Sequence, residues 1–503
     1  MKAKQILALF LALLTVLTLA VSCGGDPVGT DPVGPSGSGE GSGEGGSGDQ
    51  NVTDDLGDVN FAGVTNPTVT FYVRTGMENE VWVEELNEDD LNDAIYWRNQ
   101  AVKERLGVDI AQVAQQGGWS LYQEWNDTLR NAVQTATHDF DAAMIYTGTA
   151  SSLATEGCYL DLTELDMISL EKPWWNQNLL KEATIYNSLY FASGSIAHSQ
   201  LSHANVMWFN KDLYNEYFAA TEEKDLYQVV RDGEWTIDHM YHLTSQIFED
   251  NDSNGIKSSG DTVGLGGSAH GASGGMDSWV YALGCDLTKM DPSIGEPVAC
   301  FYDEHTVQAY EKLVNLYSNN EGAYVSFKSG EGTGDTSFLN GNVMMTLGGF
   351  GSGASFRDAT FAFGVLPVPK FDVEQESYRA IPEVTSSMVV ILSTVEAERL
   401  DMVSATIELM AAESYKTVIP TYVDVVLKSK QANSPDDAEM VQLIIDSMVY
   451  SFGWIFCSTH MGNMGKAFRV VDGSRDLSNY YQTNQSAYEA ALDGLIDAFA
   501  SLA

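Results

Sequence analysis

Basic residues are scarce. The 503-residue chain has 26 Lys and Arg against 70 Asp and Glu, for a formal net charge of −44. Phosphate backbones are gripped by clustered Lys and Arg, so nucleic acid is excluded as a partner. Cysteine is sparse too. Five in this length do not make a disulfide scaffold. The eight histidines are scattered, with no His-x-x-x-His and no Cys-x-x-Cys pair, so a catalytic metal centre lacks its usual ligand spacing. Long apolar runs are nearly absent. The longest covers residues 6–21, broken only by Thr15 and Thr18, and is short for a bilayer-spanning helix. What is plentiful is apolar and aromatic material: 44% hydrophobic residues, with 10 Trp, 23 Tyr and 20 Phe. That is enough for a large core. The length suggests roughly two to four domains at about 150 residues each.

The N-terminus reads as a targeting segment. Lys2 and Lys4 precede the apolar run, as in a signal peptide. Ala20-Val-Ser-Cys23-Gly-Gly25 then places a cysteine directly after small residues. This resembles a bacterial lipobox, with Ala20 where Leu is usual. It predicts removal of residues 1–22 and acylation of Cys23, palmitate included. The alternative is an ordinary secretory signal with an incidental cysteine. Residues 23–60 are acidic and rich in Gly and Ser. Such a stretch has too little apolar surface to offset its ordering entropy, and it reads as a flexible tether. A tether suits a domain held at a membrane by a lipid.

From Pro67 onward, strands and helices alternate. Thr68–Val73, Val108–Val113 and Phe140–Tyr146 read as strands, and 89–106 and 120–136 as helices, the first closed by Gly107. The strands are too apolar for clean alternation, which argues for a parallel sheet covered on both faces. A second set follows: strands at Asn205–Phe209, Thr262–Leu265, Val343–Leu347, Phe361–Leu366 and Met388–Leu392, a long helix from Thr236, helical stretches near 276–283 and 304–319, and mostly helix after Glu396. Ligands of such sheets bind at loops beyond the strand ends.

Dispersed segments carry a family resemblance. They are Asp90–Asn99 with Gly107–Ile110, Phe140–Met144 with Gly157–Leu162, Pro173-Trp-Trp175, Val206–Leu213, Gly233-Glu-Trp-Thr236, Phe363–Lys370 and Ser414–Val418. In this order, behind a lipobox and a tether, they resemble the family 1 extracellular solute-binding proteins, the sugar-binding components of ABC importers. The resemblance spans nearly all of 67–503. It implies an α/β, two-lobe periplasmic-binding-protein-like fold with discontinuous lobes and an interlobe ligand cleft. Lobe one would be 61–196 plus 347–393, and lobe two 197–346 plus 394–503. The implied partners are a carbohydrate, the permease subunits of an ABC transporter, and the membrane through a lipid anchor. The implied state is an extracytoplasmic monomer without catalytic residues.

The most specific local motif is Asp250-Asn-Asp252-Ser-Asn254-Gly255-Ile256-Lys-Ser258-Ser-Gly-Asp261. It fits an EF-hand-type Ca²⁺ loop. Oxygen side chains fall at positions 1, 3 and 5, a glycine at 6, the Ile256 carbonyl at 7, Ser258 at 9 and an acid at 12. An all-oxygen set favours Ca²⁺ in a structural role over zinc. The alternative is a polar Asx-rich turn. Gly271-Ala-Ser273-Gly-Gly275 matches the nucleophile elbow of hydrolases in letters only, since loop residues rather than a strand precede it. Gly349-Phe-Gly351-Ser-Gly-Ala354 imitates a dinucleotide fingerprint without its βαβ unit; the resemblance makes it a turn lining the ligand site. Cys285 and Cys300 bracket a turn-rich segment that reads as a hairpin, leaving either a disulfide or two buried thiols. Cys158 and Cys457 read as packing residues.

A sugar site needs flat aromatics for the C–H faces of the rings and fixed polar groups for the hydroxyls. The aromatics beyond strand ends are Trp119, Tyr146, Trp279 and Trp454, with Thr147 and Asp277 as hydrogen-bonding candidates. Trp208 and Trp235 read as structural. The reading is a membrane-anchored receptor that captures an oligosaccharide for an ABC permease. Two alternatives stay open, a cell-surface glycan hydrolase and a receptor for peptides or other solutes.

Overall fold

The computed structural model describes residues 52–269, 275–291, 293–327, 338–431, 434–457, 462 and 464–502. Two main sheets organise the chain. The first has the order β12-β3-β1-β2, built from β1 (Thr68–Arg74), β2 (Asp109–Gln115), β3 (Ala142–Tyr146) and β12 (Ser387–Ile391). β1 runs parallel to both β2 and β3, and β12 is antiparallel to β3. Every residue of β3 and β12 is buried, as the unalternating apolar pattern requires of a covered sheet.

The second sheet has the order β11-β4-β10-β6-β5, with β9 also paired to β6. Its strands are β4 (Asn205–Asn210), β5 (Phe248–Glu249), β6 (Thr262–Ser268), β9 (Ala323–Ser326), β10 (Val343–Gly349) and β11 (Phe363–Leu366). A separate hairpin joins β7 (Thr288–Asp291) to β8 (Glu296–Ala299). Six helices of twelve residues or more are described: α1 (Asp90–Leu106), α2 (Tyr122–Thr135), α3 (Glu304–Ser318), α4 (Ala397–Glu413), α5 (Pro435–Asp446) and α6 (Leu477–Ala500). α1 starts where the Asp89 side chain accepts from Asn92 N–H and ends at Gly107, φ +68°. Gly107 is the terminator expected from sequence, and Asp89, read there as the first helical residue, is the N-cap. No described helix is long and apolar enough to cross a membrane.

Several expectations shift. The long helix expected from Thr236 covers only Ile237–Thr244, capped by the Thr236 hydroxyl on His239 N–H. The tether expected to reach residue 60 ends sooner. Leu56 is buried, Asp54 pairs with Arg105 at 2.5 Å, and Asp55 pairs with Lys172 at 2.8 Å. The stretch at 347–393 does not return to the first sheet at once. The end of β10 and all of β11 lie in the second sheet, and only β12 lies in the first. Nor does the chain after 394 begin in the second half. α4 packs on α1 and β1, Arg399 pairs with Asp141 at 2.9 Å, and Glu408 accepts from the indole N–H groups of Trp174 and Trp175 at 3.0 and 2.9 Å. α5 then packs on β11. The 285–300 segment forms the expected hairpin, but its cysteines are free thiols. The register Thr288↔Ala299 puts Cys300 beside Leu287, two residues past Cys285, and the Cys300 thiol points to the Asp286 carbonyl. Cys158 is buried, as a packing residue should be; the side chain of Cys457 lies outside the described residues.

Candidate functional site

The chain leaves the first sheet through residues 193–204 and returns to it through 367–386. These two crossings run side by side. Asn205 N–H donates to the Ile381 carbonyl at 3.3 Å and Glu383 N–H to the His203 carbonyl at 2.9 Å. Ser387 N–H donates to Ser199 Oγ at 2.9 Å, and Gln200 Nε2 to the Ser387 carbonyl at 2.8 Å. The Gly349–Ala354 turn packs against the first crossing. Phe350 N–H donates to the Ala204 carbonyl, and a Cβ on Gly349 would lie 3.1 Å from the Ser202 carbonyl oxygen. Its glycines let the first crossing approach.

A narrow crevice opens against the crossings. Asn205, Gly275, Asp277, Ser278, Ile381, Pro382, Glu383, Val384 and Trp454 line it. Asp277 is held by Arg469, with Nε 2.6 Å from Oδ1 and Nη2 on Oδ2. Glu383 has the Thr385 hydroxyl as a side-chain partner at 3.3 Å. Burial pushes its carboxyl up to about 7; the Thr385 hydroxyl opposes that shift and the Asp277 charge adds to it. Asn205 is 3% exposed, and its Oδ1 has no partner. Trp454, 1% exposed, packs edge-on to Tyr450 with centroids 5.7 Å apart.

The first sheet contributes an aromatic stack beyond its strand ends. Trp119 is 42% exposed. It stacks on Tyr122 at 5.0 Å and meets Tyr146 edge-on at 5.7 Å. The Arg74 guanidinium lies 3.6 Å over the Tyr146 ring. Its Nη1 donates to the Thr385 carbonyl at 2.9 Å and its Nη2 to Ser387 Oγ at 2.6 Å. Arg74 therefore joins the stack to the return crossing. Sequence reading passed over it, although a lone Arg ending an apolar strand was the available signal.

The predicted residues thus divide. Trp119 and Tyr146 meet in the stack, and Asp277 and Trp454 meet in the crevice. Thr147 is buried, with its N–H and hydroxyl both on the Ser386 carbonyl at 2.9 and 3.1 Å. Trp279 is fully buried in the second half, its indole N–H on Tyr317 Oη at 3.1 Å, and does not line the crevice. Trp208 and Trp235 are core residues as read, with indole N–H groups on the carbonyls of Gly349 and Pro367. Asn205, Glu383 and Arg469 were not anticipated.

Far along the chain, the 250–261 loop draws three carboxylates together. Asp250, Asp252 and Asp261 each offer an oxygen within 4.8 Å of the others. Gly255 takes φ +74° at the turn. Asp250 accepts the N–H groups of Asn254 and Gly255 at 3.1 and 2.7 Å, and Asn254 Oδ1 accepts from Ile256 N–H at 2.6 Å. Asp261 is buried and accepts from Asn251 and Ser258 N–H at 3.0 and 2.6 Å. Converging hard oxygens on a glycine-turned loop fit Ca²⁺. Cys23, and Gly271–Gly274 of the elbow-like run, lie outside the described residues.

No family model matches the chain, and comparison with the curated proteins finds no match. Solved structures do match. One is UgpB from Mycobacterium tuberculosis in complex with glycerophosphocholine, at 12% identity and TM-score 0.56, covering 85% of this chain and 99% of that one. Another is the cyclic α-maltosyl-1,6-maltose binding protein from Arthrobacter globiformis, at 16% and 0.54, covering 85% and 98%. A third is an ABC substrate-binding protein from Listeria monocytogenes in complex with cycloalternan, at 13% and 0.53, covering 86% and 99%. The fold is therefore the two-lobe α/β fold of ABC substrate-binding proteins, present over nearly its full length.

Proposed function

We propose that this protein is a carbohydrate receptor of an ABC importer: it captures an oligosaccharide between its two halves and delivers it to the permease. The observation that carries this reading is the pairing of an exposed aromatic ring with a polar crevice, both beside the crossings. Trp119 presents a flat apolar ring, backed by Tyr122 and the buried Tyr146, while Asn205, Asp277 and Glu383 present polar edges. A sugar needs both kinds of surface. The fold match supports it, since two of the three similar proteins described above are named for bound oligosaccharides.

In the same reading the protein acts by binding alone, as a monomer, outside the cytoplasm. Cys23 carries the lipid that holds it at the membrane, and the stretch that follows it, within 23–60, serves as the tether. The carboxylates of Asp250, Asp252 and Asp261, with Asn254, the Ile256 carbonyl and Ser258, hold a structural Ca²⁺. That ion would neutralise three converging negative charges and fix the loop ahead of β6. For Cys23, Cys23→Ala is expected to leave the membrane fraction or to accumulate as precursor; normal maturation and retention would refute the assignment.

The central test is a thermal-shift screen against a glycan panel and a peptide panel. A ligand at 100 times its Kd adds about 2.7 kcal/mol to the folded state. Stabilisation by glycans alone supports the reading. Stabilisation by peptides alone replaces it with a peptide receptor, and release of reducing ends from a glycan makes the protein a hydrolase.

A further inference from the structure

The crevice at the crossings is unevenly furnished. Two of its acceptors lack a strong partner. The Asn205 amide oxygen is buried, lines the space, and has no hydrogen-bond donor. The Glu383 carboxyl has only the Thr385 hydroxyl, at 3.3 Å, among its side-chain hydrogen bonds. Asp277, the other acid on the wall, is already matched by Arg469. The charged groups around Glu383 do not compensate it. His203, whose carbonyl takes the Glu383 N–H, is held neutral by burial, its pKa lowered to about 4. Arg74 directs its Nη groups to the Thr385 carbonyl and Ser387 Oγ, and makes no hydrogen bond to the carboxyl. Among the described residues, then, the crevice holds one acid too many.

A buried acceptor without a donor is costly, and so is a buried charge without a partner. A ligand that supplies O–H donors relieves both. A ligand that brings a second carboxylate or a phosphate to the same place meets repulsion at low dielectric. Building on the carbohydrate reading, we propose that Glu383, with Asn205 beside it, is the specificity-determining residue of the site: it takes hydroxyl hydrogens from a neutral sugar unit and turns away sugars that carry an acidic group. Gly275 shapes the same contact. It sits at φ +67°, and a Cβ there would come within 2.8 Å of Asn205 Oδ1, so a side chain would crowd the acceptor.

The experiment uses the full chain and calorimetry. Each neutral oligosaccharide of the panel is paired with its counterpart whose primary hydroxyls are oxidised to carboxylates. The wild-type protein is expected to bind the neutral member at least about tenfold more tightly, a gap of about 1.4 kcal/mol. Glu383→Gln keeps the size and one acceptor oxygen but removes the charge, so it should narrow that gap. Lowering the pH from 8 to 5.5 should narrow it in the wild type and not in Glu383→Gln. Asn205→Asp should widen it, which keeps the test alive if the Gln variant does not fold. Equal binding of both members of a pair, or a gap that neither variant nor pH alters, overturns the selectivity proposal and leaves carbohydrate capture standing. If no member of any pair binds, the carbohydrate reading falls and this proposal with it.

Discussion

Trp119 opens a turn just after β2 and Trp454 lies in the short helix Phe452–Cys457, and they occupy opposite environments. Trp119 keeps a free face, and Trp454 is enclosed at the base of the crevice. Trp119→Ala should leave stability within about 0.5 kcal/mol of the wild type. Ligand affinity should fall by about 1–3 kcal/mol, on the scale of aromatic stacking with other ring ligands, or roughly five- to 150-fold. Trp454→Ala should cost about 3–5 kcal/mol of stability, read from denaturant unfolding. Unchanged affinity in the first variant, or unchanged stability in the second, would contradict these placements. A sequence marks both as loop aromatics and carries no signal for which one is covered, because cover comes from residues hundreds of positions away. Glu408 makes the same point. It sits in the buried stretch of α4, fully buried, between two indole N–H groups. Burial pushes its carboxyl up to about 7, against the partly offsetting indole hydrogen bonds. The folded state thus holds a proton that the unfolded state releases near pH 4.5. This contribution to stability is full below about 4.5 and fades as pH rises through 7. Melting temperature should therefore drop more steeply from pH 5 to pH 8 in the wild type than in Glu408→Gln. Parallel curves would rule out a titrating Glu408. Glu383 adds a slope of the same sign, so the comparison between variants isolates the Glu408 part.

At the level of elements, the local signals read well. α1 begins and ends at the residues its caps indicate, β3 and β12 are the covered strands their composition implies, and the β7–β8 hairpin forms where its turn residues lie. Elements held by tertiary contacts read poorly. Residues 52–61 have the composition of a tether, yet Leu56 inserts into the core and Asp54 and Asp55 find Arg105 and Lys172. The 250–261 loop stands between these cases, since its motif was legible and its carboxylates do converge. Three negative charges held within 4.8 Å of one another repel unless a cation joins them. Adding Ca²⁺ to chelator-treated protein should raise the melting temperature, by about 2.7 kcal/mol of stability at 100 times Kd. Asp250→Ala combined with Asp252→Ala should remove the response. A chelated, metal-free protein that melts the same with and without Ca²⁺ would exclude the site.

For the whole molecule, the two-lobe class was legible through dispersed landmarks, but the division of the chain between sheets was not. Sheet membership depends on which strands pair, and β11 and β12 differ little in composition while lying in different sheets. The two crossings carry backbone and side-chain hydrogen bonds between them, and the chain passes between the halves a third time from α4 to α5. Such a joint permits hinge closure. Addition of a bound glycan should therefore reduce the radius of gyration measured by small-angle X-ray scattering. Arg74→Met should weaken the reduction, because it severs the stack from the return crossing. No compaction by a ligand that calorimetry shows to bind would argue against closure.

The clasp formed by Asp54, Asp55 and Leu56 also has a mechanical side. Arg105 ends α1 and Lys172 precedes the Trp174–Trp175 pair, so all three anchors belong to the half built on the first sheet. A pull arriving at residue 52 meets that half first. If the proposed anchor holds, the first half would be the mast and the second the boom.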